Sequence, residues 1–367
     1  MAWPIRLYLA TTNLGIFWTP EFSALGAQPV YDTLNTGLSN LDIASFCLDR
    51  HETIADQRML CIDGTTRTLW IRESGDWASL LTSAAAQALV GVGAGSLLRT
   101  CIDKITGYIY VLFLDDLSSP HYVLRSIDHG ENWTVHTVLG INVSGSHSNI
   151  DAHNGVVAWT GEPALSERLY VSADHGVTWT MVTVSHNGYV ANIAVHVHRS
   201  GSGIVLGNCW PSAQGPYLFR YDTVGAGLTY PFPATKVGPA KPGALYTYAN
   251  DANQLAVING TFGHSSDDCT TLDVLETLDV VGQTQLVDGC DPDFWIHLGP
   301  AVPNAPGPFA PLYISTDGYT FTDRSGDGWA ANTPGSLIAN IDDFTRGGGW
   351  GVLNPRARIF VGHVLFE

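Results

Sequence analysis

Two nine-residue stretches decide the reading of this chain: Ser126-Ile127-Asp128-His129-Gly130-Glu131-Asn132-Trp133-Thr134 and Ser172-Ala173-Asp174-His175-Gly176-Val177-Thr178-Trp179-Thr180. Both read S-x-D-x-G-x-x-W-T, and they start 46 residues apart. Each follows a short apolar run, Tyr122-Val123-Leu124 or Leu169-Tyr170-Val171. A third copy, Ser315-Thr316-Asp317-Gly318-Tyr319-Thr320-Phe321-Thr322, is one residue shorter and follows Leu312-Tyr313-Ile314.

Once the period is known, weaker copies come into view. Thr11-Thr12-Asn13-Leu14-Gly15-Ile16-Phe17-Trp18-Thr19 keeps the spacing with Asn in place of Asp. Arg72 to Trp77 is contracted, Arg220-Tyr221-Asp222 leads to Gly225, and Ser265-Ser266-Asp267 leads to Thr271. Thr277 to Gly282 competes with the copy at Ser265. A recurrence of about 40–50 residues is the size of one four-stranded propeller blade. Seven starting points, near 11, 72, 126, 172, 220, 265 and 315, therefore predict an all-β, seven-bladed propeller of antiparallel blades.

The motif has a physical logic. The Ser hydroxyl and Asp carboxylate accept hydrogen bonds from backbone N–H groups that a tight turn leaves unpaired. Gly130 and Gly176 supply positive φ. Trp133 and Trp179 return to the apolar layer between sheets, where a large ring contributes most. The box histidines His129 and His175 take the variable position and are expected to be exposed.

Between the boxes, the segments read as strands. Thr134–Leu139 is a fourth strand; Ser148–Ala152 and Val156–Thr160 pair across His153-Asn154-Gly155, an Asn-Gly hairpin signal. Arg168–Ser172 is a third strand, and the series recurs after Trp179 and from Leu41 onward. Asn40-Leu41-Asp42, Asn149-Ile150-Asp151 and Asn340-Ile341-Asp342 mark innermost strands. Ile5–Ala10 reads as a third strand before its box, and C-terminal strands complete that blade, hiding open edges. The closing strands read as Leu337–Ile341, Gly351–Leu353 and Arg358–Phe366, with the register open because Arg358–Val361 also resembles a third strand. Ala84 to Leu98 reads as a small-residue loop. No linker marks a boundary, so residues 1–367 read as one domain.

Ser126, Asp128, Gly130 and Trp133, with Ser172, Asp174, Gly176 and Trp179, resemble the Asp-box of the sialidase-type (BNR) repeat proteins. The shorter Ser315, Asp317, Gly318, Phe321 and the weak Thr11, Asn13, Gly15, Trp18 fit the same pattern. The resemblance implies a box joining the third and fourth strands of each blade, as a structural device without activity of its own.

A sialidase-like site would further require an arginine triad, which suits carboxylate binding through its bidentate fork, with an Asp acid/base and a Tyr–Glu pair. Pro4-Ile5-Arg6-Leu7 has the wrong order for the early arginine motif. Arg72, Arg125, Arg168 and Arg220 recur just before or within boxes, as repeat features. Eight glutamates, among them Glu73 and Glu131, have no nucleophile context. A glycoside hydrolase and an assembly factor are the alternatives to a non-catalytic binding module. Some Asp-box propellers of this look resemble bacteriophage virion and tail proteins.

The composition agrees. Charged residues are 14% of the 367, against roughly 25% in soluble domains. The formal charge is −17, and lysines number only three, which excludes general phosphate-backbone binding to nucleic acid. No apolar stretch is long enough to span a bilayer, and no secretory signal opens the chain. The expected setting is a virion or extracellular surface assembly, otherwise the cytoplasm, with protein subunits or a glycan as partners.

No cofactor motif is found. Asp323-Arg324-Ser325-Gly326-Asp327-Gly328 resembles the start of a calcium loop, but Pro334 stands where the bidentate Glu belongs. Asp288 to Asp293 is a second acidic turn. His196-Val197-His198 puts two imidazoles on one face of a strand, with no third ligand identified. The six cysteines have no CxxC spacing and read as buried thiols. Disulfides Cys47–Cys61 and Cys269–Cys290 stay open at this point.

Overall fold

The computed structural model describes residues 5–10, 15–22, 32–48, 58–73, 75–103, 105–115, 121–138, 143–163, 168–184, 195–197, 201–209, 217–225, 227–232 and 270, with strands between 245 and 363. Among them, seven four-stranded antiparallel sheets form. The first contains β1 (Ile5–Ala10), β2 (Ile16–Phe22) and β3 (Asp32–Thr33). The second is β4 (Ile43–Leu48), β5 (Met59–Asp63), β6 (Leu69–Arg72) and β7 (Ala78–Leu81). The third is β8 (Ser96–Ile102), β9 (Ile109–Leu114), β10 (His121–Ser126) and β11 (Thr134–Val138). The fourth is β12 (Val143–His153), β13 (Val156–Pro163), β14 (Arg168–Ser172) and β15 (Thr180–Thr183). The fifth is β16 (Val195–Val197), β17 (Ile204–Cys209), β18 (Tyr217–Asp222) and β19 (Gly227–Phe232). The sixth is β20 (Leu245–Thr247), β21 (Gln254–Ile258), β22 (Thr261–Ser265) and β23 (Asp273–Thr277). The seventh is β24 (Gln285–Val287), β25 (Trp295–Leu298), β26 (Leu312–Ser315) and β27 (Thr322–Asp323).

The C-terminal strand β28 (Arg358–His363) completes the first sheet, pairing antiparallel with β1 from Ile5 opposite His363 to Ala10 opposite Arg358. The first strands of successive sheets touch: β4 on β8, β8 on β12, β12 on β16, β16 on β20, β20 on β24. Strand β28 touches both β24 and β4. It is therefore the inner strand of its sheet, not a third strand.

The strand sequences explain the stacking. Strand β9, Ile-Tyr-Val-Leu-Phe-Leu, is apolar throughout because both its faces are covered. Side chains alternate across a strand. Ile109, Val111 and Phe113 join a cluster with Leu60 and Ile62 of the second sheet. Tyr110 and Leu112 join one with Val157 and Trp159 of the fourth. Strand β13 repeats the division, sending Val156 and Ala158 to a cluster with Val197 and Val205 of the fifth sheet. A strand with two apolar faces has little room for charge, which accounts for the low charged fraction.

Three expectations need correction. Ala84 to Leu98 is not a loop. Helix α1 (Ser83–Val90) occupies its first half and β8 begins at Ser96. Thr82 caps the helix by accepting the Ala85 N–H, Gly91 ends it with φ +81, and Ala86 is buried in the core between the second and third sheets. Alanine favours helix, and here the cap and the packing carry an element too short to stand alone. Secondly, Ile5–Ala10 is the second strand from the inside, not the third. Gly15 thus lies in a turn between second and third strands, so the Thr11 copy is not placed as a box. Thr11 and Asn13 lie outside the described residues, and Trp18 pairs through its backbone with Tyr8 and Asp32.

The open disulfide question resolves in favour of the thiol reading: Cys47, Cys61 and Cys101 are free, Cys61 and Cys101 buried and Cys47 half-buried. Cys47 opposes Leu60, and Cys61 opposes Phe46. One step of register puts the two sulfurs on opposite faces of the sheet, Cys47 toward the third sheet and Cys61 toward the first. Peptide mapping of air-oxidised protein without reductant is expected to find no Cys47–Cys61 link. Iodoacetamide should leave Cys61 unmodified until the chain is unfolded, since burial foremost pushes its thiol pKa up. Recovery of the linked peptide would contradict the register. Thirdly, the box histidines differ. His129 is exposed, whereas His175 is partly buried against Tyr108, their ring centroids 5.5 Å apart. Cys269, Cys290, Asp327, His198, Asn340-Ile341-Asp342 and the closing-strand segments 337–341 and 351–353 lie outside the described residues.

Candidate functional site: turns and seams between the sheets

The two sharp motifs fold as near-duplicates between the third and fourth strands of their sheets. Ser126 Oγ donates to Asp128 Oδ1 at 2.8 Å and accepts from Gly130 N at 2.7 Å. Asp128 Oδ1 accepts from Asn132 N at 2.9 Å, and Oδ2 from Asn132 Nδ2 at 2.7 Å. In the second copy, Ser172 Oγ donates to Asp174 Oδ1 at 2.7 Å and accepts from Gly176 N at 2.8 Å. Thr178 takes the place of Asn132, donating through N at 2.8 Å and Oγ1 at 2.6 Å. Backbone φ is positive at both residues of each tip, His129 +61 and Gly130 +94, His175 +60 and Gly176 +80.

These bonds tune the carboxylates. The Asn132 N–H foremost holds Asp128 below the usual range. For Asp174, burial works upward but is outweighed by donors from Thr178, Ser172 and Val177, which take it down to about 2. Both stay ionised at neutral pH.

Each motif also grips the preceding sheet. Trp133 packs against the apolar cluster shared by the second and third sheets, and Trp179 against the one shared by the third and fourth. A Cβ on Gly130 would meet Leu80 at 2.6 Å, so the turn is seated directly on β7. Trp77, in the contracted copy, is buried among Ile16, Ile43 and Phe46, with its Nε1 donating to Leu34 O at 2.7 Å. In the Arg220 copy, Asp222 Oδ1 accepts from Val224 N and Gly225 N. The turns after Ser265 and Ser315 also fall between third and fourth strands, with Asp317, Gly318 and Phe321 outside the described residues. The competitor at Thr277 follows a fourth strand and is not so placed.

A second set of polar contacts, not foreseen from the sequence, ties sheet to sheet. Asp103, fully buried after β8, accepts from Ile105 N at 2.9 Å in its own turn. It also accepts from Asn154 N at 2.9 Å and Gly155 N at 2.7 Å, in the β12–β13 turn of the next sheet. Asn154 (φ +49) and Gly155 (φ +82) form the left-handed pair expected of the Asn-Gly hairpin. Arg125 Nη1 donates to His175 O at 2.8 Å, and Asp151 Oδ2 accepts from Val197 N at 2.8 Å. Arg58 Nη2 donates to Gly107 O at 3.4 Å. Asp63 closes the β5–β6 turn, accepting from Thr65 N, Thr68 N and Trp70 Nε1. A local signal exists for two of these: Asp63-x-x-Thr66 and Asp103-x-x-Thr106 have the spacing of side-chain-capped turns.

The recurring arginines do not converge. Arg125 binds the backbone of the next sheet's turn, and Arg168 Nη1 lies 3.1 Å from Met181 Sδ on the neighbouring strand. Arg168 opens its strand, four residues ahead of Ser172, and so sits at the end away from the motif. Among the described residues, no three His, Cys, Asp or Glu side chains group as a metal site, and no helix is long and apolar enough to cross a membrane. Asp323 ends β27, and His196 pairs through its backbone with Leu206.

All-β, with four-stranded antiparallel sheets stacked through their first strands, the chain is a β-propeller. No family model and no curated protein matches its sequence. Two solved structures share the fold at TM-scores above 0.5. A protein from Lactobacillus plantarum aligns at TM-score 0.55 and 14% identity over 87% of this chain and 95% of its own. A puromycin-hydrolyzing peptidase of Mycobacterium tuberculosis aligns at 0.51 and 10% over 88% of this chain and 54% of its own. YCF48 from Cyanidioschyzon merolae aligns at 0.45 and 16%, over 77% and 84%.

Proposed function

We propose that residues 1–367 are one Asp-box propeller of seven blades, closed through β1 and β28, that serves as a non-catalytic structural and binding module. Its setting is the surface of a larger assembly, such as a phage virion or tail, with protein or glycan contacts. One observation carries this reading: six aspartates among the described residues are committed to scaffold. Asp63, Asp103, Asp128, Asp151, Asp174 and Asp222 each accept backbone N–H groups of turns or of the next sheet. A carboxylate whose oxygens already accept backbone N–H groups is a poor acid/base, because its lone pairs are taken. The seven sheets and the pairing of β1 with β28 support the blade count. The Ser-x-Asp-x-Gly turns at third-to-fourth positions support the box.

The test is sedimentation of the chain in lysate of its native source, alongside a panel of fluorogenic glycosides on the purified protein. The reading expects co-sedimentation with a large defined particle and no sugar release. Glycoside turnover that is lost on mutating a single carboxylate would replace it with a hydrolase.

A further inference from the structure

The seam between the third and fourth sheets is built unequally at its two ends. At the end where β8 and β10 finish, Asp103 binds Asn154 and Gly155, and Arg125 binds His175. At the other end, where β10 begins, stands His121, opposite Leu114 of β9 and Val138 of β11. It is fully buried. Its ring stacks on Trp159 of β13, centroids 4.9 Å apart and planes at 21°. Trp159 stacks in turn on Tyr170 of β14 at 4.3 Å and 8°. Neither nitrogen of His121 nor Trp159 Nε1 has a hydrogen-bond partner. One end of the seam is thus held by charge-assisted bonds, and the other by an aromatic stack around an uncompensated imidazole.

We propose that this seam is an acid-opened joint, in which protonation of His121 parts the stacked end while the Asp103 and Arg125 clamps hold the other. A buried imidazolium with no acceptor costs far more than an exposed one. Burial accordingly pulls the His121 pKa down from 6.5 to about 4. The sign follows from linkage. Between those values the opened form binds the proton and the closed form does not, so the closed seam weakens as pH falls from 6.5 and has lost its full share near 4. The full span corresponds to about 300-fold in the opening equilibrium.

Other ionisable groups line the packed elements, among them Arg99 and Cys101, buried on β8, and Tyr110 on β9, where burial foremost pushes the phenol pKa up. Asp115 is buried just after β9, and Asp116 lies outside the described residues. Tyr122 and Tyr170 are kept protonated, burial being the first cause for each. His136 on β11 is lowered by burial and then by Arg125. Arg168, which interacts with Tyr170, adds positive charge on β14. Glu162 on β13 has no described side chain.

Hydrogen exchange on the full chain tests the joint, with rates at pH 7 and pH 4.5 corrected for intrinsic exchange. Peptides over β10 and β13 should lose protection on the order of 50- to 100-fold at the lower pH, while the 126–134 turn keeps its own. His121→Phe retains a stacking ring without a titrating group, and should flatten the pH dependence. Equal pH dependence in His121→Phe, or uniform loss over every sheet, overturns the joint. Should that variant not fold, the His121 imidazole proton shifts of the unmodified chain decide: titration near 6.5 with the seam still protected overturns the proposal, and titration only below pH 5 upholds it.

Discussion

Asp103→Ala is expected to destabilise the chain by about 2–4 kcal/mol, seen as a lower urea midpoint. The loss comes from the donors left behind. Asp103 receives two backbone N–H groups of its own turn and two of the neighbouring sheet. The local pair can turn to water, since Ile105 is exposed. Gly155 N is buried and cannot. Its Cα is also close-packed, for a Cβ there would meet the His175 ring at 2.7 Å. Asp103→Asn keeps one acceptor oxygen but sets an amide N–H against the Asn154 or Gly155 N–H, so it should fall between wild type and alanine. Hydrogen exchange should show the injury at residues 154–155 as well as at the substituted turn. An effect confined to residues 103–108 would mean that the bridge contributes nothing.

Trp159→Ala should cost about 3–5 kcal/mol, the range for emptying a large aromatic site in a core. Trp159 is completely buried and contacts both His121 and Tyr170. Its Nε1 has no hydrogen-bond partner, so the indole is held by packing alone. Trp159→Phe therefore sacrifices volume but no hydrogen bond, and should cost about 1.5 kcal/mol. Thermal or urea unfolding of the two variants measures the difference. Equal loss in both would show that the ring volume is not what counts.

The parts of the fold that were legible in the sequence are those whose signals are local. Ser126 to Trp133 announces its turn because every donor and acceptor lies within four residues of its partner. Asn154-Gly155 announces its hairpin for the same reason. The seams were not legible. Asp103 meets Asn154 across 51 positions, and Arg125 meets His175 across 50, distances over which the chain carries no spacing cue. The cysteine question turned on one step of register between β4 and β5, which the residue pattern leaves open. Helix α1 was hidden by its brevity and its small residues. The Thr11 copy matched by spacing alone, and spacing cannot tell a turn after the second strand from one after the third.

The pairing of β1 with β28 sets a schedule for biosynthesis. Residues 5–10 leave the ribosome early and find their inner partner only at 358–363. At about 5–20 residues per second, that wait is roughly 20–70 s. During it, the first sheet lacks its inner strand, and the edge of β1 is a free template for another chain. Crowded polysomes would thus favour exchange of the C-terminal strand between copies, and a molecule cut between β27 and β28 should lose its first sheet before any other.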